Sequence, residues 1–249
     1  MRCYLRPQNI QAISFDLDDT LYDNLPHILN AEAELATFLL QTYPLSQAWQ
    51  PHDWRRLKLQ LLQQNRELAH DTSAARLATL RQGLIQLGYS ATEAERGAEQ
   101  GLACFYFHRS HFQVSDEVLL LLKRLSQHFR LIGITNGNVD AERIGLGDAF
   151  EFVLHPGNGV HMKPAKDMFE LACSRLKIAP QHLLHVGDSM NADVRGARLA
   201  GCQSVWLNPS FGRVDSLPIA ALLPHLEINA LDALIKVLAI DANESREHC

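Results

Sequence analysis

The chain has 249 residues, 47% of them hydrophobic and 20% charged, with a formal net charge of −5. That balance is ordinary for a folded globular protein, and it argues against a general nucleic-acid binder, which needs a basic excess for phosphate contacts. No apolar run approaches the roughly 20 residues that span a bilayer, and no charged-then-apolar leader opens the chain. The expectation is therefore a cytoplasmic protein with no membrane partner. The five cysteines, Cys3, Cys104, Cys173, Cys202 and Cys249, are scattered without a Cys-x-x-Cys pair, so neither a disulfide framework nor a zinc site is suggested. Cys173 and Cys202 read as small buried hydrophobes.

In chain order, the first element is a short apolar run from Ile10 to Phe15, strand-like in length and content. It ends in Asp16-Leu17-Asp18-Asp19-Thr20. Two carboxylates at the end of a buried strand are physically odd, because desolvating a charge costs several kcal/mol or more. Asp16 and Asp18 are two apart and point the same way if extended geometry persists. Like charges on one side repel unless a cation or a shared proton relieves them. A divalent metal at the carboxyl end of the strand is the economical explanation.

Residues 22–113 then read as four helices with no convincing strand. Asn24 can cap the first, with Pro26 in its first turn and Ile28, Ala31, Leu35, Phe38 and Leu39 at helical spacing, until Pro44 breaks it. A second segment runs from about Ser46 to Leu68, and a third from about Ser73 to Leu87, stopping near Gly88. Ser90 and Glu93 fit a capping box that opens a fourth, reaching about His111. Trp49 and Trp54 are packing residues or stack on a ring-bearing ligand, and Tyr22 and Asn24 stand where the chain enters this segment.

From Val114 the pattern alternates. An amphipathic helix to Phe129 precedes a strand at Leu131–Ile134, which ends in Thr135-Asn136-Gly137-Asn138. A helix near 165–177 leads to a strand at Leu183–Val186, ending in Gly187-Asp188-Ser189. A helix over about 192–200 stops at Gly201, and Ser204–Leu207 is a further strand. Such alternation implies parallel strands with right-handed crossovers. The expected fold is α/β, a Rossmann-like parallel sheet core formed by 1–21 and 114–249, with 22–113 inserted as an all-helical subdomain. Residues 241–249 are polar and read as a frayed end.

Three strands thus end in polar residues, and ligands of open parallel sheets bind outside the carboxyl ends of strands. Each signal alone has a plainer reading. Asp188 could cap a helix, Thr135 to Asn138 could be a turn, Lys163 could be a solvated surface charge, and Asp193 could simply favour a helix dipole. His185, inside a strand, reads as a satisfied core residue.

Taken together, Asp16-x-Asp18-x-Thr20, Thr135-Asn136, Lys163-Pro164 and Gly187-Asp188-Ser189-x-x-x-Asp193 resemble the four motifs of the haloacid dehalogenase superfamily, with 22–113 in the position of its first cap type. Phe15 to Asn24 and Ile134 to Asn138 further resemble the subgroup that dephosphorylates the flavin precursor 5-amino-6-(5-phosphoribitylamino)uracil and flavin mononucleotide. The resemblance implies a phosphatase in which Asp16 is the nucleophile and Asp18 the general acid and base. It implies Mg²⁺ held by Asp16, the Asp18 backbone carbonyl and Asp188, with Asp193 supporting the site. Thr135, Asn136 and Gly137 would bind the phosphoryl oxygens, Lys163 would neutralise charge, and Thr20 would orient the first loop. The implied partner is a small phosphorylated metabolite, and the expected assembly is a monomer or weak homodimer. Dehalogenases of the family lack the second acid of the first motif, so Asp18 favours phosphoryl chemistry. A carbon–phosphorus-cleaving relative would need a cap lysine; Lys58 is the only one in 22–113 and has no supporting context. A phosphomutase, a sugar-phosphate or nucleotide phosphatase, and a catalytically silent binding module are the competing readings.

Overall fold

The computed structural model describes residues 1–215 and 222–238; the frayed end expected at 241–249 lies outside them, as does Cys249. Seven strands form one sheet: β1 (Arg2–Cys3), β2 (Ala12–Phe15), β3 (Arg130–Ile134), β4 (Val153–Leu154), β5 (Leu183–Gly187), β6 (Gln203–Leu207) and β7 (Leu226–Ile228), in the order β1-β7-β6-β5-β2-β3-β4. All neighbours are parallel except β1 and β7. The chain builds outward from β2 through β3 to β4, then returns to β2's other side for β5, β6 and β7. The reversal therefore falls between β2 and β5, where open sheets place their ligands.

Side-chain alternation divides the core. Ile13, Phe15 and Leu131 point into one apolar layer with Leu122 and Leu125 of α5 (Asp116–Ser126). Ala12, Ile132 and Ile134 point into the other, with Met168, Phe169 and Ala172 of α6 (Asp167–Leu176). Because helices cover both faces, β2, β5 and β6 are buried along their whole length and read as near-continuous apolar runs.

Between β2 and α5 stand α1 (Asn24–Thr42), α2 (Pro51–Gln64), α3 (Thr72–Gln86) and α4 (Ala91–Arg109), with no strand among the described residues. They enclose their own apolar cluster, including Ala31, Leu35, Leu39, Leu80, Leu84, Ala98 and Phe105. Gly97 lets α4 approach closely, since a Cβ there would lie 2.5 Å from Leu84 Cδ1. Trp54 fills the space above Gly83 and meets Trp49 edge-on at 4.9 Å, so both tryptophans are packing residues.

Several boundaries differ from the sequence reading. Asp23, not Asn24, caps α1, accepting the Leu25 N–H at 3.2 Å. The single helix expected over 46–68 is interrupted: one 3-10 stretch covers Pro44–Ala48, α2 opens with Pro51 at its first position, and another 3-10 stretch covers Arg66–His70. The Ser90–Glu93 capping box forms as read. In place of a helix over 192–200 there is a π turn, Met190–Arg195, followed by one α turn, α7 (Gly196–Leu199). A short α8 (Ala233–Val237) closes the described chain.

Candidate active site

The ends of β2, β3 and β5 are adjacent, and the polar residues after them converge. The Asp16 N–H donates to the Val186 carbonyl at 2.9 Å, extending the β2–β5 ladder and holding Asp16 at the reversal point. Beyond it the strand ends: Thr20 and Leu21 both turn back to the Leu17 carbonyl, and Asp19 adopts φ +58°. Asp16 and Asp18 therefore do not share one direction as extended geometry would require. The close carboxylate grouping is instead Asp16, Asp188 and Asp193, with oxygens all within 4.8 Å.

Lys163 enters from the loop between β4 and α6. It is 2% exposed, and its ammonium donates to Asp16 Oδ1 at 2.7 Å, Asp193 Oδ1 at 2.6 Å and the Ile134 carbonyl at 2.5 Å. The surface-charge reading of Lys163 is thus excluded. Asn136 fixes the loop that carries it, accepting the Lys163 N–H at 2.7 Å and donating from Nδ2 to the Lys163 carbonyl at 2.9 Å. Asp193 is not a dipole partner alone. It also accepts from the Ser189 N–H at 2.8 Å and contacts His185 Nε2 at 3.1 Å. Gly187 permits this, because a Cβ there would lie 2.2 Å from Asp193 Cγ. Ser189 rather than Asp188 caps the following turn, which frees the Asp188 carboxylate for the group.

The electrostatics follow from the count. Three buried or half-buried carboxylates face one ammonium. Burial disfavours every charge here, yet for Asp193 it is outweighed by Lys163 and His185, which hold its carboxyl well below the usual range. Asp16 is pushed well up, by burial first, with Asp193 and Asp18 adding to it against the pull of Lys163. Asp188 is pushed up to about 7 by burial, then by Asp193 and Asp19. His185 is lowered to about 4, by burial first and then by Lys163, so it stays neutral between Asp193 and the Ser14 hydroxyl at 2.8 Å. With all three carboxylates ionised, the group is two positive charges short. An all-oxygen donor set with that deficit fits a hard divalent cation.

Thr20 Oγ1 donates to Asp188 Oδ1 at 3.3 Å, linking the first loop to the third strand end. After β3, the Gly137 N–H turns inward to Thr135 Oγ1 at 3.0 Å. Asp18 lies across this loop, and a Cβ on Gly137 would stand 2.3 Å from Asp18 Oδ2. Its other oxygen, Oδ1, accepts from the Tyr22 hydroxyl at 2.5 Å and from Arg109.

Sequence reasoning missed four contributors: Arg109, Arg213, Ser210 and Trp206. Arg109, in the last turn of α4, reads in sequence as a helix-dipole cation, and nothing there points it to Asp18. Arg213 donates to Asp19 Oδ1 at 2.5 Å and Asp23 Oδ1 at 2.9 Å, and the Ser210 hydroxyl donates to the Asp19 carbonyl. The indole of Trp206 donates to the Asp188 carbonyl at 2.8 Å.

A largely parallel sheet thus carries a buried lysine–aspartate network at its reversal point. A model of the haloacid dehalogenase-like hydrolases matches residues 10–201, and the chain belongs to that family. Over 238 residues it is 39% identical to the 5-amino-6-(5-phospho-D-ribitylamino)uracil phosphatase YigB of Escherichia coli K12, covering 96% of this chain and 100% of the relative. It is 26% identical to the mouse N-acylneuraminate-9-phosphatase, over 95% of this chain and 97% of that one. Among solved structures, the 2-haloacid dehalogenase of Pseudomonas syringae pv. Tomato DC3000 superposes with a TM-score of 0.85 at 35% identity, covering 92% of this chain and 98% of that one.

Proposed function

We propose that the protein is a Mg²⁺-dependent phosphomonoesterase that works through an aspartyl-phosphate on Asp16. Its substrate is a small ribityl phosphate, either 5-amino-6-(5-phosphoribitylamino)uracil or flavin mononucleotide. The observation that carries the chemistry is the separation of two charge systems: Asp16, Asp188 and Asp193 around Lys163, and Asp18 paired with Arg109. The substrate reading rests on the YigB similarity, which spans nearly the whole chain.

In this reading Asp16 Oδ attacks phosphorus while Lys163 offsets charge on Asp16 and on the phosphoryl oxygens. Asp16, Asp188 and the Asp18 backbone carbonyl hold the cation, which supplies charge neutralisation for the transferring phosphoryl group. Asp193 keeps Lys163 and the Ser189 backbone in position. Thr135, Asn136 and Gly137 receive the phosphoryl group, and Thr20 steadies Asp188. Asp18 Oδ2, lying over Gly137, gives a proton to the leaving alkoxide and then takes one from the attacking water. Residues 22–113 act as the cap over a core of 1–21 and 114–249, excluding bulk water from the site. The protein works in the cytoplasm. Among the described residues no helix is long and apolar enough to cross a membrane.

The test is phosphate release with MgCl₂ from a panel containing both flavin compounds, sugar phosphates and nucleotides. Wild type should favour the flavin compounds, Asp16→Asn should be inert while folded, and EDTA should stop turnover. Wild-type-like turnover by Asp16→Asn would sink the nucleophile assignment, and activity confined to sugar phosphates would remove the flavin reading. The similarity to a 2-haloacid dehalogenase favours a second reading, which predicts chloride release from 2-chloropropionate without added metal.

A further inference from the structure

Arg109 is among the largest fully buried side chains in the molecule, at 1% exposure. A buried guanidinium is stable only if paired, because an uncompensated charge in that setting is strongly destabilising. Its ionic partner is Asp18, contacted through Nη2, while Nη1 is buried with no partner at all. Two of the five donors of the fork, those on Nη1, are thus left unsatisfied while Nη2 reaches one carboxylate oxygen. Such an arrangement is expensive for stability and economical for orientation.

The two ends of the helical unit meet at this oxygen. Tyr22 lies where the chain leaves the sheet, two residues before α1, and its hydroxyl donates to Asp18 Oδ1 at 2.5 Å. Arg109 lies where the chain returns, in the last turn of α4. Phe112, just beyond, packs edge-on against the Tyr22 ring at 4.8 Å and stacks on His27 of α1 at 3.6 Å. Both crossings between sheet and helices are therefore packed together, and the pair of donors they carry occupies Oδ1 and leaves Oδ2 facing the Gly137 loop.

We propose that Arg109 is a positioning residue: it holds the Asp18 carboxylate by one oxygen so that the other is presented to the leaving group, and it does so only when the cap is seated. The inference rests on the phosphatase reading above and on the proton-carrying role given there to Asp18. It assigns Arg109 no contact with substrate. Its consequence is selective. Departure of an alkoxide needs a proton, whereas departure of p-nitrophenolate does not, so loss of orientation should harm the first reaction and spare phosphoenzyme formation in the second.

The test compares benzyl phosphate with p-nitrophenyl phosphate at saturating MgCl₂, using Arg109→Met, Arg109→Lys and Asp18→Asn. Arg109→Met should lower kcat for benzyl phosphate by about 100-fold with KM little changed, the scale of a lost proton transfer. Its rapid burst of nitrophenolate should stay within about threefold of wild type, followed by slow turnover because Asp18 also serves the water step. Arg109→Lys should recover part of the benzyl phosphate rate, and if Arg109→Met does not fold, Arg109→Lys and Tyr22→Phe carry the same comparison of the two substrates. A uniform loss on both substrates, burst included, overturns the proposal in favour of a purely structural role. A raised KM at unchanged kcat overturns it in favour of substrate binding. Asp18→Asn separates the two layers: if it shows no difference between the substrates, the proton-carrying role of Asp18 fails, whereas a split in Asp18→Asn without one in the Arg109 variants fails the positioning role alone.

Discussion

Asp188 reports the charge deficit of the site most directly. Its folded carboxyl titrates at about 7, raised by burial, then by Asp193 and Asp19, against an unfolded value of about 3.9. Between those values the cation-free folded state binds more protons than the unfolded one, so this residue makes stability fall as pH rises through that window. His185 acts with the opposite sign. Its folded value is lowered to about 4, by burial and then Lys163, so the unfolded state binds the extra proton from there up to about 6.5 and stability rises with pH over that range. Subtracting Asp188→Asn from wild type isolates the first effect. In EDTA, urea unfolding should show wild type losing on the order of 4 kcal/mol relative to the variant between pH 4 and pH 8. Added MgCl₂ should abolish that relative loss. Parallel curves for the two proteins in EDTA would mean that Asp188 carries no such strain.

The turn after β5 shows how one small residue sets a whole element. Gly187 ends the strand, and the π turn Met190–Arg195 brings Asp193 back over it. Gly187→Ala should push Asp193 off Lys163 and cost about 100-fold in kcat, since displacements of about 1 Å in a catalytic constellation have that scale. Steady-state kinetics would check it, and an unchanged kcat would show that Asp193 has room to move. This turn was only half legible in the sequence. Asp188 and Asp193 stand out after an apolar run, but one extra residue per turn leaves the 3.6-residue pattern too little altered to announce itself. The longer elements were legible because burial imposes a period: α3, α4 with its Ser90 box, α5, β3 and β5 all lie where apolar spacing puts them. The short strands β1, β4 and β7 have two or three residues each, too few to display an alternation. Asp23 and Asn24 are both good caps, and only the fold selects between them.

At the scale of the molecule, legibility follows the sheet. The strand-end residues Asp16, Thr135 and Asp188 could be grouped from sequence because parallel topology brings their strand ends together. Arg109 could not, since its contact with Asp18 exists only once the helical unit has folded and docked. Away from the two chain crossings, the contacts between the units are polar among the described residues. Thr72 Oγ1 donates to the Asn136 carbonyl at 3.5 Å, Asn138 Nδ2 donates to Ser73 Oγ at 3.2 Å, and His161 Nε2 lies 3.3 Å from Glu67. All three contacts join the start of α3 or the turn before it to the loops that follow β3 and β4. Contacts of this kind hold two units weakly enough for one to open on this side, so seating of the helical unit here should depend on these few hydrogen bonds. Ser73→Ala and Asn138→Ala each remove the same bond, at about 1 kcal/mol. Each should raise KM by roughly fivefold with kcat nearly unchanged, because the chemistry is intact once the unit is seated. The double variant should behave like either single one. Multiplicative effects in this double-mutant cycle would show that the two side chains act independently and that the bond between them does not govern closure.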